Sequence, residues 1–215
     1  MSTASAEVQP GLPRAVKGLP EQERILWSMV RAAAEKGFES VRVAEVVERA
    51  GVSRTAFYEL FDDKQECLVA AYERVIDALV AYVARAYEAD GPWPLKIRRA
   101  LGACLEAYSA EPEVARMATV EVPAARPEAQ RCYRDALERL VPLFREGREY
   151  AEGDVLPPGL ELMAVGGAEA IIRDEVAAGR TEELPGLLPD ILFVVLAPYV
   201  GPEAATAEVR RAGGA

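Results

Sequence analysis

The chain contains no histidine. Imidazole triads, histidine general bases and histidine metal ligands are therefore excluded. Cysteine is scarce: Cys67, Cys104 and Cys132 stand far apart, and no pair has metal-ligand spacing. An odd number of thiols and a start without an apolar signal core predict a reducing, cytoplasmic setting. Uninterrupted apolar runs are missing too. The most apolar window, Leu184 to Val200, is broken by Pro185, Pro189, Asp190 and Pro198, so no membrane span is expected. Carboxylate and lysine chemistry remain open. Yet no nucleophile–base pair, glycine-rich phosphate loop or metal-binding cluster is present. The expectation is a protein that is not an enzyme, with no catalytic residue, no metal and no cofactor.

What the chain does have is alanine, leucine, glutamate and arginine. These are helix formers, and they occur without stretches of strand-type alternation, which predicts an all-α fold. Half of the 215 residues are hydrophobic (51%), enough for a packed core. The net charge of −10 argues at first against nucleic acid. Its distribution changes that reading. Residues 1–64 carry 9 Lys/Arg against 10 Asp/Glu, whereas residues 65–215 carry 16 against 25. The acidity belongs to the second part, and the first is near neutral.

The opening residues 1–19 are small and proline-rich and read as a flexible arm. Apolar spacing then predicts helices over about 20–36, 41–50, 54–61 and 64–89, with Ser40 capping the second and Ser53 the third. Gly37 and Gly51 supply the stops. Further helices are expected over 95–109, 112–120, 128–147, 159–178 and 183–199. A proline-containing linker at 152–158 and a polar tail complete the chain.

The stretch Val41 to Lys64, VRVAEVVERAGVSRTAFYELFDDK, carries the most specific signal. On a helical wheel, Val52, Ala56, Phe57, Leu60 and Phe61 fall on one side of its second helix. Arg54, Thr55, Tyr58 and Glu59 fall on the other. A polar side with arginine, threonine and tyrosine suits phosphates and base edges. Arg42 and Lys64 sit at the starts of the flanking helices, where backbone N–H groups add to their charge.

The block GFESVRVAEVVERAGVSRTAFYELFDDKQECL resembles the DNA-binding domain of TetR-family transcriptional regulators. The resemblance rests on Gly37-Phe38, the Ala50-Gly51-Val52-Ser53 turn, Phe57-Tyr58, Phe61, and Lys64 followed by Leu68. It implies a homodimer on double-stranded operator DNA, touched by Arg42, Ser53, Arg54, Thr55, Tyr58 and Lys64. The family often has histidine at the position of Leu60 and a small hydroxyl residue at that of Arg42. These departures make the operator sequence less predictable. The resemblance also implies an N-terminal three-helix helix-turn-helix domain at 20–66, joined by a long helix to a helical ligand-binding and dimerisation domain at 67–215.

The residues after 67 are compatible with that division. Leu160, Met163, Ala164, Gly167, Ala168 and Ile171 form a small-residue face, and 187–196 is apolar almost all round. Two helices from each of two chains, about 159–178 and 183–199, would bury both faces around a twofold axis. Trp93, Cys104, Tyr108, Met117, Tyr133, Phe144 and Met163 are candidates to line a pocket for a small, partly apolar effector. Glu121, Glu169 and Arg173 are candidates to orient its polar end. The leading expectation is a ligand-responsive repressor on a near-palindromic operator. The alternative is an interaction or ligand-binding module whose head no longer reads DNA.

Overall fold

The computed structural model describes residues 18–151 and 156–212. The expected arm (1–19) and linker (152–158) therefore lie largely outside the described residues. Among those residues the fold is helical and has no strand.

The head is three short helices: α1 (Glu21–Lys36), α2 (Val43–Ala50) and α3 (Arg54–Leu60). Ile25, Met29 and Val30 of α1 are fully buried, together with Val46 of α2 and Phe57 of α3. Gly37 ends α1 at φ +80°, and Gly51 ends α2 in the left-handed region at φ +65°. Neither conformation suits a side chain. The second helix starts later than the sequence predicts. Phe38–Ser40 forms a 3-10 turn, Arg42 takes the N-cap position, and Ser40 caps nothing. Phe38 explains the shift: it is buried (3% exposed), and the turn is needed to fold it back on the core.

The long helix α4 (Lys64–Glu88) leaves the head, capped by Asp63, whose carboxylate accepts from the Gln65 and Glu66 amides. It packs most extensively on α5 (Trp93–Ala110). Next come α6 (Pro112–Arg116), a π turn at Met117–Glu121, α7 (Val122–Ala124), α8 (Pro127–Glu138) and α9 (Pro142–Arg145). The single helix expected over 128–147 is therefore broken. Pro142 lacks the N–H a continuous helix needs, and the chain turns again at a 3-10 segment, Glu146–Tyr150. Gly147 in that segment lies against the Trp93 and Tyr199 rings, where a Cβ would come within 2.5 Å.

The last long helices are α10 (Leu160–Ala177) and α11 (Leu188–Ala212), the latter preceded by a 3-10 turn at Thr181–Leu187. The expected polar tail is helical in its described part: α11 kinks at Gly201, between Pro198 and Pro202, and continues to Ala212. The stretch 181–211 is long and apolar enough to cross a membrane by composition alone, contrary to the expectation from its prolines. Its inner residues Leu184, Ile191, Leu192 and Leu196 are packed in the protein core. Its outer face exposes Phe193 (38%) and Val194 (63%), and α10 exposes Leu162, Met163 and Ile171.

Candidate functional site

The α3 helix is anchored by one ring and open on its other side. Phe57 is fully buried and packs edge-on against Tyr58 at 5.3 Å and against Phe61 at 5.5 Å. Ser53 caps the helix, its Oγ accepting the Ala56 N–H at 3.0 Å. Arg54, Thr55, Tyr58 and Glu59 all face solvent. The Arg54 guanidinium lies over the Tyr58 ring (5.6 Å), with its Nη2 3.4 Å from the hydroxyl. That contact aligns the two side chains along one face. Leu60, expected on the inner side, is exposed (40%) because the helix ends there and only its Phe57 side meets the core.

The head's cations fall into two groups. Lys36 pairs with Glu45, and Arg49 makes a two-pronged pair with Glu35 at 2.6 Å on both nitrogens. Arg24 donates to the carbonyls of Ala50 and Leu19. Arg31 lies 3.5 Å from Glu113. Arg42 and Arg54, by contrast, face solvent with no carboxylate partner among the described residues. Lys64 departs from the expectation of a phosphate-facing ammonium. Its Nζ donates to the carbonyls of Phe38, Glu39 and Val41 at 3.0–3.2 Å and lies over the Phe38 ring. An ammonium has three N–H bonds, and all three have acceptors here. Lys64 therefore holds the turn that leads into Arg42.

The second candidate region is a cavity of about 90 Å³ between α4, α5, the π turn, α8 and α10. Of the expected lining residues, Cys104, Tyr108, Tyr133 and Phe144 line it, and Tyr72 joins them from α4. Trp93 does not. It is fully buried beneath Tyr199, with its Nε1 donating to the Leu143 carbonyl at 3.0 Å. Met117 is core rather than cavity wall, and Met163 is 59% exposed on the opposite side of α10. Amino-acid type marked these residues as apolar and bulky, but only helix rotation decides which side of a helix they occupy.

Among the described residues, the cavity's one lining carboxylate, Glu169, lies at the α8–α10 side with Tyr133. The Tyr133 hydroxyl and Glu169 Oε1 are both buried, and neither reaches hydrogen-bond geometry with a partner. Arg173 donates to the other Glu169 oxygen at 3.1 Å. Burial holds the Glu169 carboxyl above its ordinary range, against the lowering effect of Tyr133 and Arg173. Burial also raises the Cys104 thiol to about 12, so it stays protonated. Glu121, a candidate ligand-orienting group, is not at the cavity. It reaches the head instead, accepting the Phe38 N–H at 2.8 Å.

Two helices joined by a tight glycine turn, the second anchored inward and polar outward, define a helix-turn-helix protein of the DNA-binding class. Residues 25–71 match the family model described as bacterial regulatory proteins, tetR family. That segment is the part of the chain that matches the TetR family, the same family its own residues resemble. The sequence matches no curated protein. Solved structures extend the fold likeness over most of the chain. The fatty acid degradation regulator FadR from Bacillus halodurans superposes with a TM-score of 0.74 at 18% identity, covering 84% of this chain and 96% of that one. FadR from Bacillus subtilis, in complex with stearoyl-CoA, gives 0.72 at 16% identity, covering 81% and 97%. PfmR from Thermus thermophilus gives 0.65 at 20% identity, covering 83% and 96%.

Proposed function

We propose that the chain is a ligand-responsive repressor that binds a near-palindromic operator as a homodimer and is released by a partly apolar effector. The observation that carries this reading is the outward face of α3, where Arg54, Thr55 and Tyr58 are exposed opposite a fully buried Phe57. Arg54, Thr55 and Tyr58 read base edges, while Arg42 and the Ser53 region meet phosphates. Lys64 acts through the turn it holds. The head covers about residues 20–66 and the effector and dimer part 67–215. The protein works in the cytoplasm by binding, without turnover.

Dimerisation runs through α10 and α11. Met163 and Ile171 on one helix, with Phe193 and Val194 on the other, leave an apolar surface without cover in the single chain. Such surfaces mark interaction sites.

The effector has an apolar body and a polar end. The cavity wall is aliphatic and aromatic, with tyrosines and Glu169 among its polar groups. Its volume, about 90 Å³, is below that of an engineered cavity of about 150 Å³ that takes benzene. An effector of any length must therefore push wall side chains aside, and that displacement is what a switch requires. The fold likeness to a FadR bound to stearoyl-CoA makes long-chain acyl derivatives the first class to try.

The test is a band shift of DNA flanking the encoding gene, with and without stearoyl-CoA. A shifted complex supports the regulator, and its loss on adding the ligand supports the effector class. No shift by the purified dimer would favour the module that no longer reads DNA.

A further inference from the structure

The five-residue turn Met117–Glu121 has two faces with different partners. Ala118 and Thr119 line the cavity. Glu121, two residues on, points the other way, with only 11% of its side chain exposed. Its Oε2 accepts the Phe38 N–H at 2.8 Å, a link between residues 83 apart in sequence. The same oxygen would lie 3.5 Å from a Cβ at Gly37, and Oε1 lies 3.4 Å from Arg116. A π turn is rare and departs from the favoured helical spacing, so it persists where another interaction compensates. Here the departure gives one short segment contact with both the cavity and the head.

We infer that Glu121 is a latch that transmits the state of the cavity to the reading head. The inference rests on the proposed regulator, and it identifies the residue that performs the regulation. The head is attached at two places. One is α4, whose Tyr72 and Ile76 line the cavity and whose Lys64 holds the carbonyls of Phe38, Glu39 and Val41. The other is the segment of α6 and the π turn, against which α1 packs, with Arg31 3.5 Å from Glu113 and Glu121 on the Phe38 amide. A body held at one place pivots, whereas one held at two has a fixed tilt. A charge-assisted hydrogen bond is about twice as strong as a neutral one and is lost steeply with misalignment. Displacing Ala118 or Thr119 into the turn therefore moves Glu121 off the Phe38 amide. The segment released runs through Val41 into Arg42, which caps α2.

The test uses the full-length protein and a substitution that mimics occupancy. Ala118→Leu fills the cavity from the latch turn, and Ala100→Leu fills it from α5 as a control. Hydrogen exchange of the Phe38 amide and band-shift affinity for the flanking DNA are measured for each, alone and combined with Glu121→Ala. The expected result is several-fold faster Phe38 exchange in Ala118→Leu and in Glu121→Ala, with no further increase in the double variant. Glu121→Gln, which keeps an acceptor without charge, should exchange at an intermediate rate. DNA affinity should change between several-fold and a hundred-fold with Ala118→Leu, but not once Glu121 is already absent. Ala118→Val replaces Ala118→Leu if the larger side chain prevents folding. Unchanged Phe38 exchange in Glu121→Ala, or additive effects in the double variant, overturns the latch. If the wild type shifts no DNA, the regulator reading fails, while the exchange measurement still decides the latch.

Discussion

Arg54 and Arg42 differ from the other cations of the head in facing solvent with no carboxylate partner among the described residues. A phosphate approaching either one displaces only water, whereas at Arg49 it must compete with Glu35. Arg54→Ala and Thr55→Ala are therefore expected to lower affinity and alter sequence preference, and Arg42→Ala to weaken all DNA sequences alike. Titrating the variants against a panel of operators checks this, and equal losses across sequences for Arg54 would remove its base-reading role. Lys64→Ala should act differently, lowering thermal stability as well as affinity because three carbonyls lose their donor. Glu169 supplies a second test at this scale. Burial raises its folded pKa above the ordinary 4.5, so the folded state holds the proton more tightly than the unfolded one. Its favourable contribution is complete below about pH 4.5 and is lost as pH rises through the raised value. Glu169→Gln should thus raise the melting temperature at pH 7, with a gain that shrinks towards pH 4. A constant or reversed difference would contradict the burial argument. Residue identity made the polar face of α3 legible, since a wheel needs only spacing. It did not reveal that Lys64 folds back onto carbonyls, because those acceptors lie 23 to 26 residues away in sequence.

Among the elements, helices were legible wherever apolar spacing ran uninterrupted. Thus α1, α3, α4 and α10 fall within a residue or two of their expected limits. The misses share a cause, which is tertiary demand overriding local pattern. Phe38 must reach the core, so α2 begins at Val43 rather than Val41. Trp93 must sit under Tyr199, so the segment around Gly147 lies against both rings and the helix expected there does not form. Nothing in the local sequence signals a π turn at 117–121, whose partner is Phe38. The close approach at Gly147 gives a direct test. A Cβ there would meet Trp93 at 2.5 Å and Tyr199 at 2.8 Å. Gly147→Ala is expected to cost about 1–3 kcal/mol through overpacking. The melting temperature should fall by about 2–4 °C per kcal/mol for a chain of this size, as read by a thermal melt. An unchanged melting temperature would show that the rings yield without strain.

For the whole molecule, charge and apolar surface are divided between two tasks. The near-neutral first part carries the solvent-facing arginines, and the acidic second part carries the exposed faces of α10 and α11. Sequence composition revealed that division. It also marked 187–196 as apolar all round, although in the single chain that segment keeps one side open at Phe193 and Val194. In the proposed dimer a second copy would cover that side, which is the occupant its exposure calls for. Val194→Glu, or Met163→Glu, is expected to shift the chain from dimer to monomer in analytical ultracentrifugation while leaving its helical content intact. A dimer of unchanged stability would move the interface elsewhere. Operator binding should be lost together with the dimer, because one head alone reads half a site.

The most direct measurement is the salt dependence of binding to the flanking DNA, taken for the wild type, Arg54→Ala and Arg42→Ala. The wild type should bind with an affinity that falls steeply with salt. Removing Arg42, which meets phosphate, should reduce the logarithmic slope by about 0.9 per copy, hence roughly twice that in a dimer, whereas removing Arg54, which reads base edges, should lower affinity with little change in slope. Binding that is absent, or an Arg54→Ala affinity equal to that of the wild type, would mean that the open face of α3 does not meet DNA.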